Sequence, residues 1–262
     1  MENILKKICN KKKEELEHTK NKYSLKTLQK LLPNKENRNL KELIQSSQKN
    51  KKTNIIAEIK KASPSAGEII SDYHPEDIAI NYEKYGAGAL SILTEIFFFK
   101  GQIDHISLIN SKSNLPILRK DFIIDSYQIY ESKVFKADAI LLILSILSDT
   151  QIKEFINIAN EIGLDCIIEA HSPDEIERAI EINYPIIGIN NRNLNSLSVD
   201  MNTTINLINN IPNYFSIIAE SGIKSYADIA MYNQKGIYNF LIGESLLKSK
   251  NINNTFKELL KK

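Results

Sequence analysis

The chain has 262 residues and a mass of 29.9 kDa, with 42% apolar residues, 25% charged residues and a formal net charge of +2. That balance is ordinary for a globular domain with a large core, and so small a net charge excludes bulk electrostatic recruitment to nucleic acid. No run of about 18 apolar residues is present, so no membrane span is expected.

The opening Met1–Lys7 lacks the apolar segment of a signal peptide, and a cytoplasmic location is expected. Cys9 and Cys166 match no metal spacing or CxxC pair; they read as a surface thiol and a small buried side chain. Residues 1–50 differ from the rest. Ile4, Leu5, Ile8 and Leu16 fall at near-helical spacing among Lys and Glu. Leu25, Leu28, Leu31 and Leu32 continue the pattern until Pro33-Asn34, and Leu40, Leu43 and Ile44 mark another short helix. This extension is expected to pack over one end of the domain and help to close its site. Removing about residues 1–45 is expected to harm substrate binding more than barrel formation.

From Asn54 onward strands and helices alternate. Apolar runs at 55–59, 89–93, 116–118, 139–143, 166–168, 186–189, 215–219 and 240–242 read as strands. Helices are expected between them: from Pro75 to Tyr85 before Gly86, over 102–110 and 127–135, then from an N-cap at Asp149 to Ile162 before Gly163. They continue over 174–181, 204–211 and 226–233, with a short turn at 244–247 and a last helix to Leu260. Eight strand–helix units predict a (β/α)8 TIM barrel over 51–262 with the N-terminal helical extension, together one structural domain. A doubly wound sheet is the rival. Gly86-Ala-Gly88 precedes a strand instead of following one and is no dinucleotide fingerprint, and no P-loop is present.

Chemistry in such a barrel sits at the C-terminal strand ends. Those ends carry Glu58, Lys60 and Ser63; Thr94 and Glu95; Arg119-Lys120-Asp121-Phe122; Glu169; Asn190, Asn191 and Arg192; Glu220-Ser221-Gly222; and Gly243-Glu244-Ser245. Lysines and glutamates in a partly desolvated pocket serve as general acids and bases. Glycines after the seventh and eighth strands let backbone N–H groups approach a phosphate. Phe99 and Phe122 offer walls for a flat apolar group. The implied ligand is a small phosphorylated anion. The four histidines are scattered, so no metal is expected, and His171 reads as a loop residue. No GxSxG elbow appears, no covalent intermediate is required, and a Schiff-base role for Lys120 stays open.

At these residues the sequence resembles the indole-3-glycerol phosphate synthase family. IIAEIKKASPSAG (55–67), LSILTE (90–95), LPILRKDFIID (115–125), ADAILLI (137–143), IGINNRNL (187–194), IAESGI (218–223) and FLIGESLL (240–247) carry the resemblance. It implies a carboxy-lyase of tryptophan biosynthesis that needs no cofactor or metal. By position it implies Lys120 as general acid in ring closure, Glu169 as base in later steps, and Lys60 meeting the substrate carboxylate. Glu58 would tune the lysines, and Asn190 and Arg192 would orient the groups. Ser63, Glu220, Ser221, Gly222, Leu241, Gly243 and Glu244 would contact substrate or phosphate, and Phe99, Phe122 and Leu194 would line the aromatic pocket. A monomer is expected, with at most weak association with other enzymes of the pathway. A phosphoribosyl isomerase or a non-catalytic barrel are the alternatives. Ile96-Phe97 and Ala66 depart from the usual family residues, so loop closure is expected to differ.

Overall fold

Three helices come before the first strand: α1 (Ile4–Lys22), α2 (Leu25–Lys30) and α3 (Leu40–Lys49). The structure is a computed structural model that describes residues 4–34 and 37–261; the start of the leader reading, Met1–Asn3, lies outside them. After β1 (Asn54–Ile59) comes a small antiparallel hairpin of β2 (Ala62–Ser63) and β3 (Gly67–Glu68), which the periodicity did not signal. It turns through Pro64-Ser65-Ala66 and ends on Gly67 at φ 65°, a left-handed conformation that glycine adopts freely.

The alternation then runs through α4 (Pro75–Tyr85), β4 (Ala89–Leu93), α5 (Asp104–Asn110), β5 (Ile117–Lys120), α6 (Tyr127–Val134) and β6 (Ala139–Ile143). It continues with α7 (Asp149–Glu161), β7 (Asp165–Ala170), α8 (Pro173–Ile182), β8 (Ile186–Asn190), α9 (Asn202–Ile208) and β9 (Ser216–Glu220). The chain finishes with α10 (Tyr226–Asn233), β10 (Asn239–Ile242), α11 (Glu244–Leu247) and α12 (Ile252–Leu260). Strands β1 and β4 to β10 form a closed parallel barrel, in which β1 pairs with both β4 and β10. Each is covered by side chains inside and helices outside, which is why the strands read as continuous apolar runs. Among the described residues, no helix is long and apolar enough to cross a membrane.

Several expected boundaries are corrected. Four strands run past the end of their apolar stretch. Lys120 pairs in register with Leu93, Glu169 with Ile143, and Asn190 with Glu220. The ladder continues through these polar residues because their side chains point into the mouth of the barrel. Ser148, not Asp149, caps α7, in a reciprocal capping box with Gln151. The helices expected from 102 and over 204–211 begin at Asp104 and span Asn202–Ile208. Cys166 is buried, but Cys9 is half-buried instead of a surface thiol.

The extension touches both ends of the barrel, not one. Leu40 and Ile44 of α3 are fully buried at the base. There the Lys41 N–H donates to Asp165 Oδ2 at 2.9 Å, and Asn239 Nδ2 donates to the Ile44 carbonyl at 3.1 Å. A cut at residue 45 would remove these contacts together with α1, so it is expected to weaken the barrel as well as binding. At the other end, α1 buries Ile8, Lys12 and Leu16 as one stripe. A charge in the middle of an apolar stripe needs partners. Lys12 Nζ finds Asp121 Oδ1 at 3.0 Å and Glu15 Oε2 at 2.8 Å. Burial works against this ammonium, but the two carboxylates outweigh it and raise its pKa. Burial likewise opposes the Asp121 charge, yet Lys12 and Arg119 hold that carboxyl well below its usual range.

Removing one partner of such a pair leaves the other charge buried. Lys12→Ala is expected to lower the free energy of unfolding by about 3 kcal/mol, read from urea denaturation. An unchanged midpoint would show that Asp121 does not depend on α1.

Candidate active site

The strand ends enclose a cavity of about 650 Å³. Three side chains meet at its floor. Lys120 Nζ, from the end of β5, lies 2.7 Å from Glu169 Oε2 on β7 and 3.2 Å from Glu220 Oε2 on β9. Both carboxylates are buried, each side chain only 1% exposed. Burial disfavours the ammonium, but Glu169, Glu220 and Glu58 around it raise the Lys120 pKa. The two acids divide. Burial also opposes the Glu169 charge, yet Lys120 and His171 hold it well below the carboxylate range. Burial pushes Glu220 up to about 8, against the pull of Lys120 and with Glu169 adding to the push. The floor therefore sets an ammonium between two carboxyl groups whose pKa values are pushed apart. Like charges crowded into one site cannot all ionise.

Above this floor Lys60 is ion-paired with Glu58 of β1, two residues earlier and on the same face. Two glycines make room for the carboxylates. A Cβ at Gly188 would strike Glu220 Oε1, and one at Gly243 would strike the Glu58 carboxylate. Asn190 Nδ2 lies 3.4 Å from Glu169 Oε1, and Asn190 Oδ1 accepts from the Arg192 N–H at 3.0 Å. Arg192 donates to the Leu197 carbonyl at 2.8 Å and lies 4.0 Å from Glu244. Phe99, Phe122, Leu194 and Leu241 give the cavity its apolar walls. Ser221 and Gly222 leave β9 in left-handed conformations, φ 66° and 91°, and line the rim with Gly243 and Glu244. The Lys248 hydrogen bond lowers the Glu244 pKa.

Ser63 is the exception among the expected site residues. It lies in the β2–β3 hairpin, where its hydroxyl accepts from the Ala66 N–H at 3.2 Å. It lines a smaller cavity of about 80 Å³, bounded also by Ile4, Leu5 and Ile8 of α1, which shares Lys60, Phe99, Phe122, Arg192 and Leu194 with the main one. Several other polar strand ends serve the scaffold. Arg119 turns outward to Glu131 at 2.8 Å and Asp121 at 3.0 Å. Thr94 donates to Asp121 at 2.7 Å, and the Glu95 carboxylate accepts the N–H groups of Phe97, Phe98 and Phe99. Asn191 binds the Tyr232 hydroxyl at 2.9 Å. Ile96 and Phe97 are exposed, with the Lys11 ammonium 5.9 Å from the Phe97 ring centre. Among the described residues, no group of three or more His, Cys, Asp and Glu side chains is arranged to hold a metal ion.

A family model described as indole-3-glycerol phosphate synthase matches residues 5–259. The chain belongs to that family. It is 44% identical over 260 residues to the indole-3-glycerol phosphate synthase of Legionella pneumophila (strain Paris), covering 99% of both chains. It is 47% identical over 206 residues to that of Endomicrobium trichonymphae, covering 79% of this chain and 80% of the relative. Among solved structures, 3-hexulose-6-phosphate synthase from Salmonella typhimurium superposes with a TM-score of 0.66 at 11% identity, over 80% of this chain and 97% of that one. At that identity the likeness shows the barrel alone.

In this member of the indole-3-glycerol phosphate synthase family, His171 is the loop residue that was expected, just past β7, and it stands against Glu169 without lining the cavity. His171 Nε2 lies 3.1 Å from Glu169 Oε1. His171 is the first residue past the end of β7 and meets Glu169 from outside the cavity. Glu220 is more than a substrate contact, because its carboxyl group faces Lys120. The tight fit at Gly188 tests how far the floor depends on Glu220. Gly188→Ala is expected to lower kcat about 100-fold by displacing that carboxyl group, with circular dichroism unchanged.

Proposed function

We propose that the cavity takes 1-(2-carboxyphenylamino)-1-deoxyribulose 5-phosphate and converts it to indole-3-glycerol phosphate, CO2 and water, a step of tryptophan biosynthesis. The observation that carries the reading is Lys120, an ammonium held between the Glu169 and Glu220 carboxyl groups beneath apolar walls. The phosphate rests against the backbone of Ser221-Gly222 and Gly243-Glu244, at the start of α11. Lys60 and Arg192 balance the substrate's charge. Phe99, Phe122 and Leu194 hold the phenyl ring.

Ring closure joins the carboxylate-bearing ring carbon to the ketone carbon, and the ketone oxygen takes a proton from Lys120. An alkoxide is a stronger base than an amine, so the transfer runs downhill even from an ammonium with a raised pKa. The bond to the carboxylate then breaks, CO2 leaves, and the electron pair restores the aromatic ring. In the last step the new hydroxyl leaves as water with a proton from Lys60, while Glu169 removes a proton from the adjacent methylene and the double bond forms. Asn190 orients Glu169, and Glu58 orients Lys60. Ser63 and α1 close the side on which the aromatic ring enters. The same reading takes the chain to work as a monomer in the cytosol, at most loosely associated with other enzymes of the pathway.

The test is an absorbance and fluorescence assay for the indole product, with purified chain and no added metal. Lys120→Ala is expected to lower kcat by about 10²–10⁴-fold while the protein stays folded, and Glu169→Gln by a similar factor. Near wild-type turnover in Lys120→Ala would defeat the assignment of the acid.

A further inference from the structure

We propose that His171 is a positioning residue that holds Glu169 ionised and correctly aimed from behind, through a charge relay that ends at Glu175. The proposal rests on Glu169 being the base. The geometry comes first. His171 Nε2 lies 3.1 Å from Glu169 Oε1, and His171 Nδ1 lies 3.3 Å from Glu175 Oε2. The His171 backbone N–H donates to the same Glu175 oxygen at 2.7 Å, and Ser145 Oγ donates to Glu175 Oε1 at 2.6 Å. An ionised carboxylate has no proton to give, so a ring nitrogen that faces one must carry its own. With a carboxylate at each nitrogen, the imidazolium is the form that fits.

The surroundings agree. Glu169 faces Lys120 from β5, Glu220 from β9 and Asn190 from β8. His171 faces Glu175 from α8, and Ser145 from the loop after β6 at 3.3 Å. The nearby cation on α8, Arg178, is turned away to Asp149 and to the carbonyls of Leu144 and Leu147. Charges therefore alternate along Lys120, Glu169, His171 and Glu175. Burial opposes the imidazolium, but the neighbouring Glu169 and Glu175 carboxylates push its pKa up to about 9.

The relay has a purpose in the reaction. Once Lys120 gives its proton to the ketone oxygen, Glu169 loses its nearest cation. A buried carboxylate left alone would take up a proton and cease to be a base. His171 supplies the second cation, on the other carboxylate oxygen, and keeps Glu169 ionised until the last step.

The experiment is the pH dependence of kcat in His171→Gln, which removes the charge and keeps a hydrogen-bonding side chain, beside Glu169→Gln. The acid limb of the His171→Gln profile is expected to move up by about one pH unit, with KM changed less than about threefold. A merely structural role would lower kcat at every pH and leave the limb in place. An unmoved limb with Glu169→Gln inactive overturns the role of His171 alone. An active Glu169→Gln overturns the base assignment, and the role of His171 with it. If His171→Gln does not fold, nitrogen-labelled histidine in the intact chain gives the answer by NMR. Both His171 nitrogens are expected to be protonated near neutral pH, and a neutral ring overturns the proposal.

Discussion

An ammonium taken out of water must be compensated within a few ångströms. At the floor of this barrel the compensation of Lys120 comes from β7 and β9, strands distant in sequence from β5. Closure of the barrel brings them together. The register sets Glu169 level with Gly188, and Glu220 level with Asn190. Gly188 has no side chain, and the Glu220 carboxyl group occupies the space that one would fill. Thus the charge arrangement depends on strand pairing, and the pairing leaves room for it. With two acids and one ammonium in so small a space, burial pushes the Glu220 pKa up while Lys120 and His171 hold the Glu169 pKa down.

Strand β5 shows how one short segment serves two needs. Lys120 faces the cavity, while its neighbours Arg119 and Asp121 join a buried ion-pair network with Glu131. Lys12 of α1 completes that network. The helix that bounds the smaller cavity is therefore fixed to the residue next to the proposed acid. Positioning of the aromatic end of the substrate and of the proton donor share one anchor.

The barrel was legible because eight apolar runs alternate with helical segments, and turn residues such as Gly86 and Gly163 mark their ends. The strand ends were less so. Periodicity counts apolar residues, and Lys120, Glu169, Asn190 and Glu220 look like loop although they remain in the ladder. Of the expected site residues, all but Ser63 line the main cavity. Ser63 lines the adjoining smaller cavity, because it sits in a two-residue hairpin that leaves no periodic trace. The burial of Lys12 was hidden too: it sits among Lys11 and Lys13, and only the fold says which of the three faces inward. His171 follows Glu169 closely in the sequence, but nothing in the periodicity shows that the loop after β7 turns its ring onto that carboxylate.

The base of the barrel has a consequence for how the chain is made. Asn54 Nδ2 bonds to Asn239 Oδ1 at 2.9 Å, and Asn239 also holds the Ile44 carbonyl of α3. During synthesis, α3 and β1 are complete long before β10 leaves the ribosome. Until then β1 has an open edge, and Leu40 and Ile44 lack part of their cover. Contacts between segments so far apart in sequence form slowly, and open parallel edges recruit other chains. The half-made barrel is thus the stage most exposed to aggregation, and the arrival of Asn239 ends it.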